Sequence, residues 1–361
     1  MDHQQRPMNS PYMHWAKTHF HAKYNLANSG MMNYPISRLP IEFDKLAITG
    51  ETYYGYPPLL NEIGKRYDLT TDKIYTTLGT SFANYALLEA LFEPGDEIII
   101  EHPTYELLLT AAEHVGYLVK RLYRRPENQF RIDPNNLRSL ITAKTKLILL
   151  TNLHNPSSVY IEDDTLKTIG TIAQKSGTFV CVDEVYLDAM FDRSPRSSIH
   201  LGDHFIVTNS LTKVYGLSGL RCGWVLANPV ITEKLWRLTD LMHVNHVHIS
   251  EQISTIAFMH LNEIISWSRS ILEANHKTLN AFLDEHNDLE VTRPGFGTVV
   301  FPRLKHISVE SLSELLERKY DTAITPGRFF EIPDHFRIGL GSDPEYFATG
   351  IENLKKALQE L

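Results

Sequence analysis

The chain has 361 residues, with 43 acidic and 35 basic side chains and a formal net charge of −8. That balance argues against a nucleic-acid partner, whose footprint would be a basic patch, and no apolar run approaches the ~18 residues of a membrane span. With only Cys181 and Cys222, and no charged-then-apolar segment at the N-terminus, the composition fits a cytoplasmic, reducing environment and excludes a four-cysteine zinc site.

Residues 1 to about 40 read as irregular, with Pro35 and Pro40 breaking any helix. IYTTL (74–78) reads as a strand and SFANYALLEALF after it as a helix. EIII (97–100) precedes the helix-like YELLLTAAEHV, and KLILL (146–150) reads as a buried strand. A helix follows at DDTLKTIGTIAQKSG, with Asp163 or Asp164 at its start and Gly177 past its end. TFVCV (178–182), HFIVT (204–208) and CGWVLA (222–227) are further strands. This alternation predicts an α/β fold with a mostly parallel sheet covered by helices on both faces. Residues 229–290 are helical in pattern, and a shorter mixed region then closes the chain as a smaller α+β unit.

In open parallel sheets ligands bind beyond the carboxyl ends of the strands. Gly79-Thr80-Ser81, Asn152 with Asn155-Pro156, Asp183 with Tyr186, and Ser210, Thr212 and Lys213 all follow strands. Gly79-Thr80-Ser81 at a helix start is either an anion cradle or a simple helix cap. No Gly-Lys-Ser/Thr and no G-x-G-x-x-G follows the first strand, so neither a P-loop nor a dinucleotide reader is expected. The segment Ser210-Leu211-Thr212-Lys213-Val214-Tyr215-Gly216-Leu217-Ser218-Gly219-Leu220-Arg221 is more specific. A lysine between hydroxyl residues and glycines can form a Schiff base with an aldehyde once its pKa falls, and Arg221 can pair an anion bidentately.

In these motifs, and across about residues 24–355, the chain resembles the class I and II aminotransferases, pyridoxal-5′-phosphate (PLP) enzymes of fold type I. The resemblance implies a large cofactor domain (42–247) and a smaller domain built from the arm (1–41) and residues 248–361. It implies that Lys213 carries the cofactor and is the catalytic residue, and that Asp183 pairs with the pyridine nitrogen. Tyr186 and Asn155 match groups on the phenolic oxygen, and Tyr105 matches the aromatic residue stacked on the ring. Thr80, Ser81, Ser210 and Arg221 match the phosphate cup, with Thr212 nearby. Arg337, Asn155 and the backbone of Gly30 match the site for the substrate carboxylate. The implied reaction moves an amino group from an L-amino acid to a 2-oxo acid by ping-pong chemistry. Elimination, arginine-type cyclisation or oxidation is the alternative on the same fold. A homodimer with shared sites is implied, with no nucleic acid, membrane or metal.

Departures stand out. The usual Asn-Pro-Thr-Gly is here Asn155-Pro156-Ser157-Ser158, and losing the glycine predicts a rerouted loop. Gly50 stands where relatives carry a tyrosine that reaches the partner's phosphate, leaving Tyr53, Tyr54 and Tyr56 as candidates. Tyr24, Tyr53, Tyr54 and His154 suggest a polar or aromatic side-chain pocket, although His154 can equally just line its loop. On a helix His243 and His246 would share a face, which makes a metal site conceivable, but no acidic or cysteine ligand accompanies them at motif spacing. His248 belongs to the same cluster, while His14, His19 and His21 are read as interface or surface.

Overall fold

Apolar runs of five to seven residues set between amphipathic helices bury both their faces only inside a covered sheet. The computed structural model describes residues 6–19 and 21–361, and along it the elements run as follows. Helix α1 (Pro11–His19), strand β1 (Tyr24–Asn25) and helix α2 (Pro57–Tyr67) come first. Then β2 (Ile74–Leu78), α3 (Thr80–Leu91), β3 (Glu97–His102), α4 (Glu106–Val115), β4 (Leu118–Tyr123), α5 (Pro134–Leu140), β5 (Thr145–Thr151), α6 (Asp163–Lys175), β6 (Phe179–Asp183), β7 (Phe205–Ser210) and β8 (Cys222–Leu226) form the sheet and its covers. Helices α7 (Pro229–Met242), α8 (His248–Met259) and α9 (Leu261–Glu285) lead to the short strands β9 (Leu289–Glu290), β10 (Val299–Val300) and β11 (Arg303–Leu304). The chain closes with α10 (Val309–Tyr320), β12 (Thr322–Ala323), β13 (Thr325–Pro326), β14 (Phe336–Gly339) and α11 (Pro344–Glu360).

The main sheet has seven strands in the order β2-β8-β7-β6-β5-β3-β4. Only β8 runs against its neighbours, so the sheet is mostly parallel. Alternate residues feed two separate cores. Ile98, Leu147, Leu149, Cys181 and Ile206 pack under α3, α4 and α7, while Ile99, Ile148, Val180 and Val182 pack under α5 and α6. Both free cysteines, Cys181 and Cys222, are buried. The arm joins the C-terminal unit, with Tyr24 paired to Thr322 and Asn25 to Ala323, while β10, β14 and β13 form a second small sheet. No helix among the described residues is long and apolar enough to cross a membrane.

Three local features differ from the sequence reading. Strand β4, LVKRLY, was hidden by its charges, which an edge strand tolerates because one side faces solvent. The arm is not wholly irregular, because α1 forms there. Ser10 Oγ accepts from the Met13 amide at 3.1 Å, Pro11 occupies the first helical position, and Tyr12, Trp15 and Ala16 bury one face. Ser158 adopts the kind of backbone that the loss of glycine was expected to forbid. It takes the left-handed conformation itself, at φ 58°, and donates through Oγ to the Val299 carbonyl at 2.7 Å.

Candidate active site

The carboxyl ends of β2, β5, β6 and β7 open onto one cavity of about 240 Å³, and every residue expected to hold the cofactor lines it: Thr80, Ser81, Tyr105, Asn155, Asp183, Tyr186, Ser210, Thr212, Lys213 and Arg221. Gly30 stands beside it, where a Cβ would lie 3.4 Å from Lys213 Cδ. Arg337, on β14, is fully buried behind Asn155, whose Oδ1 accepts from Nη1 at 3.0 Å.

At the strand-β6 end, Asp183 Oδ2 accepts from Asn84 Nδ2 at 2.9 Å and Oδ1 from the Val185 amide at 3.1 Å. Asn84 Oδ1 accepts in turn from Thr208 Oγ1 at 2.8 Å. Burial pushes the Asp183 carboxyl up to about 6, against those hydrogen bonds and the nearby Lys213. A cation facing it would favour the carboxylate. Lys213 Nζ donates to Ser29 Oγ at 2.8 Å, and the Tyr186 hydroxyl donates to the same oxygen at 3.0 Å. Burial brings the lysine down to about 8 and pushes the Tyr186 phenol up to about 12.

At the other end, Gly79 (φ 81°) precedes α3, and the buried Thr80 Oγ1 has no hydrogen-bond partner among the described residues. Arg221 (φ 48°) lies against the same turn, its Nη2 donating to the Leu78 carbonyl at 3.1 Å. A side chain at Gly79 would collide with that guanidinium. Orphan hydroxyl, helix N-terminus and arginine make an anion cradle as well as a cap. The whole set fits pyridoxal phosphate: the start of α3 with Arg221 would hold the phosphate, Asp183 would face the ring nitrogen and Lys213 would meet the aldehyde.

Behind the cavity wall, a buried chain of polar groups supports Asn155. Arg124 Nη1 lies 2.7 Å from Glu101 Oε2, and Glu101 Oε1 accepts from the Thr151 amide at 2.8 Å. Thr151 Oγ1 then accepts from the Asn155 amide at 3.0 Å.

The substrate side differs from expectation. Tyr24, Tyr53, Tyr54 and His154 do not line the cavity; Tyr12, Met13, Ala16, Asn28 and Ser29 do. Tyr24 packs on Tyr346, with ring centroids 5.7 Å apart. His154 is buried and lines its loop, with Nδ1 2.6 Å from Ser157 Oγ and Nε2 2.9 Å from the Pro103 carbonyl. Tyr54 lies edge-on to Trp236 and beneath Arg237, Tyr56 lies against His248, and Tyr53 is 64% exposed. His243 and His246 meet ring to ring, and no group of three or more His, Cys, Asp or Glu arranged to hold a metal gathers among the described residues. Asn84, Ser29 and Tyr12 escaped the sequence reading. Asn84 had a signal, since it sits four residues after Thr80 on the same helix face.

Residues 36–354 match the family described as aminotransferase class I and II. A capreomycidine synthase from Streptomyces vinaceus is 26% identical over 97% of this chain and 93% of its own length. A PLP-dependent aminotransferase structure from Streptococcus suis 89-1591 superposes with a TM-score of 0.93 at 27% identity, covering 99% of this chain and 98% of that one. The structure of a PLP-dependent cyclase, OrfR, shares the fold with a TM-score of 0.90 at 24% identity, over 99% and 98% of the two chains.

Proposed function

The chain belongs to the class I and II aminotransferases, PLP-dependent enzymes, and on that premise we propose that it transfers the amino group of an L-amino acid to a 2-oxo acid by ping-pong chemistry. The observation that carries this is Arg337. Its guanidinium is fully buried behind Asn155, at the wall of the cavity that Lys213 lines, and among the described residues it has only neutral partners. A buried cation of this kind is completed by an anion, and the α-carboxylate of an amino acid or oxo acid supplies one.

Pyridoxal phosphate, when bound, supplies the electron sink that makes the α-proton acidic. The chain supplies the rest. Thr80, Ser81, Ser210, Thr212 and Arg221 would hold its phosphate, Asp183 would favour the protonated ring nitrogen, and Tyr105 would wall the ring. Lys213 Nζ takes the α-proton and returns it to the cofactor side; with burial bringing it to about 8, a neutral amine is accessible near physiological pH. Ser29 Oγ steers Nζ from 2.8 Å. Arg337, held by Asn155, fixes the carboxylate and so chooses which bond stands across the ring. Helix α1 adds Tyr12, Met13 and Ala16 to the cavity wall.

A homodimer in the cytoplasm, with domains at 1–41 plus 248–361 and at 42–247, completes the reading. Tyr53 is its candidate for contact with the partner's phosphate, because Tyr54 and Tyr56 are held within their own chain. Cyclisation is the second reading, favoured by the near end-to-end match to capreomycidine synthase. A panel of L-amino acids, each with and without pyruvate, separates the two. Transamination yields a 2-oxo acid and alanine and leaves the enzyme in its aminated form when pyruvate is omitted. Consumption of an amino acid without oxo-acid formation or need of an acceptor would replace it with the cyclase reading.

A further inference from the structure

Two arginines are almost wholly buried, and their surroundings differ. Arg124 is paired with Glu101 at 2.7 Å. Arg337 has no carboxylate within ion-pair distance among the described residues. Its Nη2 donates to the Tyr12 hydroxyl at 2.8 Å, the Ala27 carbonyl at 2.9 Å and Thr325 Oγ1 at 3.4 Å. Tyr12 stands out among these, because it comes from α1, lines the cavity and is a hydroxyl. Accepting from Arg337 uses one lone pair and leaves the phenolic proton to give, and no acceptor among the described residues takes it. The ring is fixed on three sides: edge-on to Tyr105 at 5.6 Å and Phe329 at 5.4 Å, and 6.2 Å from Phe330. The helix is tied to the sheet side as well, by Ser10 Oγ on Glu106 and by the Pro7 carbonyl 2.8 Å from the His114 ring.

We propose that Tyr12 is a substrate-binding residue, donating its phenolic proton to the α-carboxylate that Arg337 pairs. The inference rests on Arg337 being the carboxylate site. It makes recognition of the carboxylate a joint act of β14 and α1: one carboxylate oxygen meets a guanidinium and a phenol held by that same guanidinium. Two short charge-assisted hydrogen bonds from different elements then discriminate an amino acid from the corresponding amine.

The test uses the holoenzyme and two probes that attack the bound cofactor through the same aminooxy nitrogen. Aminooxyacetate carries a carboxylate and O-methylhydroxylamine does not. The second-order rate of the absorbance change is measured for each. The wild type favours aminooxyacetate. Tyr12→Phe slows aminooxyacetate about tenfold, the order of one hydrogen bond to a charged group, and leaves O-methylhydroxylamine within about twofold. The variant keeps the ring that packs against Tyr105, Phe329 and Phe330, and an unchanged melting temperature of the holoenzyme certifies its fold. Equal slowing with both probes would reduce Tyr12 to packing and overturn the proposal, as would no change with either. Arg337→Gln provides the separate control. If it leaves the preference for aminooxyacetate intact, the carboxylate-site reading itself fails, whatever Tyr12 does.

Discussion

On the sheet side of the cavity, Asp183 ends β6, and Thr80 and Lys213 follow β2 and β7 within a few residues. On the opposite side, Tyr12 and Arg337 meet although 325 positions separate them. The first wall is set by a local rule, because a parallel strand delivers whatever follows it to the same edge. The second is set by tertiary packing, because an arm helix must dock before its tyrosine means anything. The two walls should therefore fail differently: damage to the sheet side removes chemistry, and damage to the arm side weakens the grip on substrate.

The largest effect is expected at Lys213. Lys213→Ala should lower kcat at least about a thousandfold, since carrier and base are lost together. Steady-state rates and the spectrum of the bound cofactor check this, and a residual rate within tenfold of wild type would break the assignment of the sheet wall to chemistry. Asp183→Asn should cost about a hundredfold in kcat with little change in KM, because a neutral amide no longer favours the protonated ring nitrogen. A rise in KM alone would move Asp183 to the binding side of the comparison.

Asn84→Ala sharpens the same contrast at a residue the sequence reading passed over. It removes the donor to Asp183 and strands the Thr208 hydroxyl, so we expect kcat to fall about tenfold and stability to fall by ~1–3 kcal/mol. Its pH signature is also directional. The Asn84 hydrogen bond and the Val185 amide oppose the burial that lifts Asp183 to about 6, so losing one of them raises that carboxyl further. The lower limb of the pH–rate profile moves to higher pH. At Lys213 the working form is the neutral amine and its pKa is lowered to about 8. Capture of added pyridoxal phosphate by cofactor-free enzyme should therefore quicken as pH rises toward 8 and level off above it, which stopped-flow absorbance will follow.

How much was legible follows the same division. Strand runs such as KLILL and TFVCV are apolar on both faces because both faces are buried, so the sheet and the residues at its edge could be read from period and position. LVKRLY could not, since an edge strand keeps charges. Helix α1 had only the Ser10-Pro11 start signal, and its buried face depends on Phe329 and Tyr105, far along the chain. Arg337 was reached through the resemblance, but its neutral surroundings and its contact with Tyr12 are properties of the packed molecule. Pocket-lining residues were misplaced for the same reason: Tyr24 and His154 are near in sequence to the site's motifs, yet packing turns them elsewhere.

The smallest effect tests the seam between the walls, where Ser158 stands in for the usual glycine. Its left-handed backbone costs an L-residue about 1–2 kcal/mol, and its hydroxyl regains about 1 kcal/mol by binding the Val299 carbonyl across the seam. Ser158→Gly removes both, so stability should stay within about 1 kcal/mol of wild type. Ser158→Ala keeps the strain and loses the hydrogen bond, and should cost about 1–2 kcal/mol. Alanine would then be worse than glycine, the reverse of their order in ordinary secondary structure, and denaturant melts of the three proteins read that order directly. If alanine proved more stable than glycine, left-handed strain would not set the order, and if alanine matched serine, the Val299 contact would contribute nothing to holding this loop.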